Sequence, residues 1–104
     1  MPHFTYVLQN PIDRAPQKIR KILAKTLDGC RFTIQGDNQT ISIFFHHPIG
    51  PIDRQRLRAS ILAFDQGEDY WRTQFRTAKL ADKAAGTEIE KWKVIARAVF
   101  KDND

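Results

Sequence analysis

Cysteine is almost missing from this chain of 104 residues, where Cys30 stands alone. One thiol excludes an intrachain disulfide. With only three histidines elsewhere, it also fails to give the spaced Cys and His set that a tetrahedral metal needs. Neither a metal nor a cofactor is expected. Long apolar runs are lacking too, since nothing approaches the roughly 20 apolar residues of a membrane-spanning helix. Met1-Pro2-His3-Phe4 has no charged stretch followed by an apolar one, the layout of a secretory leader. The expectation is a cytoplasmic protein with no membrane partner. In that setting the triplet Asn38-Gln39-Thr40 is an accident rather than a glycosylation acceptor. A P-loop, a Gly-x-Gly-x-x-Gly and a His-Glu-x-x-His are all missing. Together with the small size, those gaps argue for a protein that is not an enzyme.

What the sequence does have is positive charge. Lys and Arg number 17 against 12 Asp and Glu, a formal charge of +5. That balance favours polyanionic partners. The length and a hydrophobic content of 41% suit one domain with one modest core. We therefore expect a single domain over 1–104, made of a core at 1–66 and a helical extension at 67–104.

A four-residue stretch occurs twice, as Pro11-Ile12-Asp13-Arg14 and Pro51-Ile52-Asp53-Arg54. Each copy follows an apolar, strand-like run and leads into a basic segment containing Ile-Leu-Ala. Asp accepts hydrogen bonds from the first N–H groups of a helix and Pro suits its start, so both copies are expected to begin helices. His3 to Gln9 is rich in aromatic and β-branched residues and reads as a strand. Ile19, Ile22, Leu23 and Leu27 then follow helical spacing up to Gly29, with Lys18, Lys21 and Lys25 on the other side. Residues 31–45 read as a β-hairpin turning at Gly36-Asp37-Asn38. After it come helices at Leu57-Ile61-Phe64, then from about Asp69 with Trp71, Phe75 and Ala78. Asp65-Gln66-Gly67 reads as the break between them, and the cluster Asp65, Glu68 and Asp69 as a polar loop. The last helix carries Ile89, Trp92, Ile95, Ala96 and Val99, and Thr87 with Glu90 fits a capping box.

The order strand, helix, strand, strand, helix predicts a ferredoxin-like βαββα layer, an antiparallel sheet with helices on one face, plus two C-terminal helices. The same order is similar to that of an RNA recognition motif. Thr40 to Phe45 lacks the basic-Gly-aromatic signature of that family's third strand. A KH module is excluded by the lack of any Gly-x-x-Gly. The layer has no final strand, so its edge invites pairing, and a homodimer is one way to cover it.

The strongest functional signal is a line of cations. Arg72, Arg76, Lys79 and Lys83 recur at spacings that bring them to one side of a helix, and Lys93, Arg97 and Lys101 form a second stripe. Such lines can follow a phosphate backbone and release its counterions. Trp71 and Phe75 beside the first line read as core residues; exposed, either could stack on an unpaired base. His46 and His47, adjacent on a strand, point to opposite faces and read as polar strand-end residues that could also meet a phosphate. Cys30 reads as a core residue beside a strand. The resulting expectation is a small, basic, non-enzymatic protein that binds DNA or RNA through phosphates. Its rival is a protein-interaction module, an adaptor or an inhibitor of a larger host or viral machine, that docks a partner by its sheet edge or terminal helices.

Overall fold

The computed structural model describes residues 3–27, 29–81 and 87–101, with Thr87 and Lys101 as backbone only. Asp82, Lys83 and Gly86, and the side chains of Thr87 and Lys101, therefore lie outside the described residues, and with them the expected capping box.

The chain is α+β. Three strands, β1 (His3–Val7), β2 (Phe32–Gly36) and β3 (Thr40–Phe45), form an antiparallel sheet in the order β1-β3-β2. Alternation along β3 sets which face is buried: Ile41, Ile43 and Phe45 point inward, while Thr40, Ser42 and Phe44 point away. Register carries the pattern across the sheet, placing Phe4 and Ile34 beside Ile43, Tyr6 beside Ile41, and Phe32 beside Phe45. A one-residue slip would turn every one of these to water. The β2–β3 turn is held by the Asp37 carboxylate, which accepts from Gln39 N–H and Thr40 N–H, each at 2.8 Å. Those two donors hold its carboxyl below the usual range. Gly36 sits at φ +140°, and a Cβ there would run into the Thr40 carbonyl.

Four helices follow the predicted order: α1 (Ala15–Thr26), α2 (Pro51–Gln66), α3 (Glu68–Ala81) and α4 (Thr87–Ala96), the last continuing into a π-helical turn at Arg97–Lys101. In α1, Ile19, Ile22 and Leu23 are buried as their spacing predicts. The buried face of the sheet joins Ile19, Leu23, Leu57 and Ile61 in one core. A second core gathers Ala59, Ala63, Ala78, Trp92 and Ile95. Helix α2 is the wall between them, giving Leu57 and Ile61 to the first and Ala59 and Ala63 to the second. A helix buried on two sides cannot show one clean apolar stripe, which is why its sequence pattern is mixed.

The repeated Pro-Ile-Asp-Arg does not take one conformation. In the second copy Pro51 opens α2, Gly50 precedes it as the cap, and Asp53 lies inside the first turn. In the first copy the four residues precede α1, and the capping position is Arg14 in the left-handed region at φ 58°, ψ 37°. Neither Asp side chain caps its helix. The β2–β3 turn does the holding in the first copy, where Asn38 takes Ile12 N–H on its carbonyl at 3.0 Å and Arg14 N–H on its side chain at 3.2 Å. The isoleucines part as well. Ile12 packs on the first core, whereas Ile52 is 68% exposed.

Asp65 corrects the expected polar loop. It belongs to the last turn of α2 and is buried. Its carboxylate accepts from Tyr6 Oη at 2.9 Å and from Gln9 N–H and Asn10 N–H at 3.0 Å each, while its carbonyl accepts from Asn10 Nδ2 at 3.0 Å. β1 ends at Val7 rather than at Gln9 because residues 9 and 10 turn to this carboxylate instead of a neighbouring strand. The break between α2 and α3 shrinks to Gly67, whose φ of 95° lets the second helix begin at Glu68.

Candidate nucleic-acid interface

Helix α3 repeats a simple local pattern. Trp71, Phe75 and Ala78 fall at i, i+4 and i+7, the spacing of one helical face, so they meet the helices packed beside it. Arg72, Arg76 and Lys79 each come one residue later, which rotates them to the adjoining flank, and all three are exposed. On α4, Trp92, Ile95 and Ala96 are buried while Lys93 and Arg97 are exposed.

Aromatic contacts pin the two helices together. The indole N–H of Trp71 donates to the Trp92 carbonyl at 2.7 Å. Its ring stacks on Phe75 with centroids 5.4 Å apart and an interplanar angle of 23°, and meets Phe100 at 6.0 Å. Tyr70 meets the edge of Trp92 at 6.3 Å. Trp71 and Phe75 are thus neither fully core nor free. Both pack against the second core and stay half-buried.

The partly open rings separate two surface concavities. One, of about 270 Å³, is lined by Trp71, Arg72, Phe75, Arg76 and Lys79. The other, of about 310 Å³, is lined by Trp71, Phe75, Lys93, Ala96 and Arg97. Two stripes that look independent along the chain therefore flank the same aromatic ridge. Periodicity could find each stripe but not their meeting, which depends on how α3 and α4 pack.

The cations differ in how they are engaged. Arg72 pairs with Glu68 at 3.2 Å and Lys93 with Glu90 at 3.5 Å, in both cases between exposed side chains on one helix. Such pairs contribute about 0–1 kcal/mol, so a phosphate can take the acid's place. Among the described residues Arg76, Lys79 and Arg97 form no ion pair. Lys91, outside both predicted stripes, pairs with Glu88 at 2.9 Å and lies 5.1 Å from the Trp92 ring centroid. Lys83 and the Lys101 side chain are outside the described residues.

The other candidates are tied into the end of the sheet. His46 Nε2 is 3.0 Å from Thr33 Oγ1. His47 Nε2 accepts from Arg31 N–H at 3.2 Å, which leaves Nδ1 as the protonated nitrogen facing the Pro48 carbonyl at 3.0 Å. The Arg31 carbonyl in turn accepts from His46 N–H at 3.0 Å. Cys30 is half-buried rather than core, and its thiol points to the Asp53 carboxylate at 3.7 Å.

No family model matches the chain, and no curated protein and no solved structure matches it either.

Proposed function

We propose that this chain is a non-enzymatic protein that binds nucleic acid through its phosphate backbone. Arg76 and Lys79 on one side of the Trp71–Phe75 ridge and Arg97 on the other are the primary contacts. Arg72 and Lys93 join them by exchanging a glutamate for a phosphate, and Lys83 and Lys101, which follow in the two sequence stripes, are proposed as further contacts. The observation that carries this reading is the pair of cation-lined concavities sharing one aromatic ridge. The half-buried Trp71 and Phe75 rings also offer aromatic surface on which an unpaired base can stack, which favours single strands. A cytoplasmic location, with which the lone cysteine is compatible, would suit such a role. At the level of fold, β1 and β2 both run antiparallel to β3 and so parallel to each other, with α1 as their crossover. That is the arrangement a ferredoxin-like layer would have without its fourth strand.

The test is salt dependence. Binding of a labelled single-stranded oligonucleotide, followed by fluorescence anisotropy, is expected to weaken steeply between about 50 and about 300 mM salt, over which the Debye length falls from roughly 14 Å to roughly 6 Å. The double variant Arg76→Ala, Lys79→Ala should lower the slope of log K against log salt by about 1.4, or about 0.7 for each phosphate left without its cation. An absence of binding at the lowest salt removes the proposal.

A second reading rests on the outer edge of β1, which pairs on one side alone and carries Val7 at 57% exposure. An edge of this kind can add a strand from a protein partner or from a second copy. A molar mass of two chains by light scattering, abolished by Thr5→Pro, favours that reading.

A further inference from the structure

A further basic concavity lies outside the α3–α4 face, where α1 faces the start of β2 and the end of β3. It has a volume of about 420 Å³ and is lined by Arg20, Cys30, Arg31, Phe32 and His46. We propose that it binds a phosphomonoester whose organic body is about the size of a nucleoside.

Two exposed arginines from separate parts of the chain line it, Arg20 on α1 and Arg31 just before β2. Among the described residues neither the Arg20 nor the Arg31 side chain has an ion pair or a hydrogen bond. They put positive charge beside one hollow with no acid paired to it among the described residues, and the planar fork of each suits two phosphate oxygens. The backbone around them is fixed. Arg31 N–H is bound to the His47 ring and its carbonyl to His46 N–H, so Arg31 starts from a rigid strand end rather than a loose loop. His46 is oriented by Thr33 through Nε2, and no further partner of its ring occurs among the described residues. No carboxylate lines the hollow among the described residues, and the nearest one described, that of Asp53, stands behind Cys30 at 3.7 Å from its sulfur.

The volume leaves room for an organic body beside a phosphate, since small-molecule sites begin at about 300 Å³. Half-buried Phe32 supplies the apolar wall that an organic body needs, with the guanidinium groups at the polar end. The phosphomonoester can belong to a free mononucleotide or to the end of a strand, and the recognising chemistry is the same.

The test uses the whole chain labelled with ¹⁵N. Adenosine 5′-monophosphate should give saturable shifts at the amides of Cys30, Arg31, Phe32 and His46, with adenosine alone giving none and inorganic phosphate binding at least tenfold more weakly. Both Arg20→Gln and Arg31→Gln should weaken binding tenfold or more without changing the thermal midpoint. A 5′-phosphorylated oligonucleotide that binds tenfold more tightly than its 5′-hydroxyl twin identifies a strand end as the source. Equal binding of the two, with the mononucleotide response retained, identifies a free ligand. Absence of saturable shifts, or shifts that survive both substitutions, overturns the proposal. The outcome is separable from that of the α3–α4 reading, because Arg76→Ala should leave the mononucleotide response unchanged and Arg31→Gln should leave the salt slope unchanged.

Discussion

A buried carboxylate at the end of α2 does at residue scale what no periodic pattern announces. Asp65 gathers Tyr6, Gln9 and Asn10 onto one side chain, so Asp65→Ala strands a phenol and two backbone N–H groups without an acceptor. The expected loss is about 3 kcal/mol in a urea unfolding curve, the size seen when charge-assisted hydrogen bonds are removed from a shielded site. Tyr6 carries the pH signature of the same cluster. Burial first, then the hydrogen bond to Asp65, pushes its hydroxyl from 10.0 to about 12. The folded state thus holds this proton more tightly than the unfolded one. Its share of the stability is complete below pH 10 and is lost as pH rises toward 12. Unfolding curves between pH 8 and 11.5, a range bracketing the ordinary tyrosine value of about 10, should fall less steeply for Tyr6→Phe than for the parent. In the sequence, Asp65-Gln66-Gly67 looked like a loop because Asp and Gly favour turns. Only the distant partners, 55 to 59 residues away, change that meaning.

At the scale of elements, patterns with a single dominant cause were legible. The 31–45 hairpin and the apolar face of α1 follow alternation and helical spacing with no competitor. The repeated Pro-Ile-Asp-Arg was less legible, because the same four residues suit either the approach to a helix or its first turn. Neighbours choose between them: Gly50 caps the second copy, and Asn38 draws the first into the left-handed turn at Arg14. A non-glycine residue there bears a cost of roughly 1–2 kcal/mol, against roughly 0.5–1 kcal/mol for the extra freedom of glycine in the unfolded chain. Arg14→Gly should therefore raise stability by up to about 1 kcal/mol, whereas Arg14→Val, branched at Cβ, should lower it. The two opposite shifts in thermal midpoint are the check. The meeting of the α3 and α4 stripes escaped the sequence for a related reason, since helix periodicity describes one element and says nothing of its neighbour.

For the molecule as a whole, the shared wall of α2 predicts that the two cores unfold as one cooperative unit. Trp92 lies in the second core and Trp71 packs against it, so their fluorescence follows the C-terminal helices, whereas far-ultraviolet circular dichroism follows all elements. The two signals should give one coincident unfolding transition. Ile95→Ala, at a position with no exposure, should shift both together by about 3 kcal/mol. Two separated transitions would mean that residues 67–104 fold apart from 1–66. The same architecture bears on synthesis. A nascent chain leaves the ribosome N-terminus first, so β1 and the turn after it are waiting in the cell long before their anchor at Asp65 has been translated. Until then the first strand has its pairing with β3 and its packing on the first core but not the carboxylate that fixes its end, and that interval is when a newly made chain is most open to capture by chaperones or by other nascent chains.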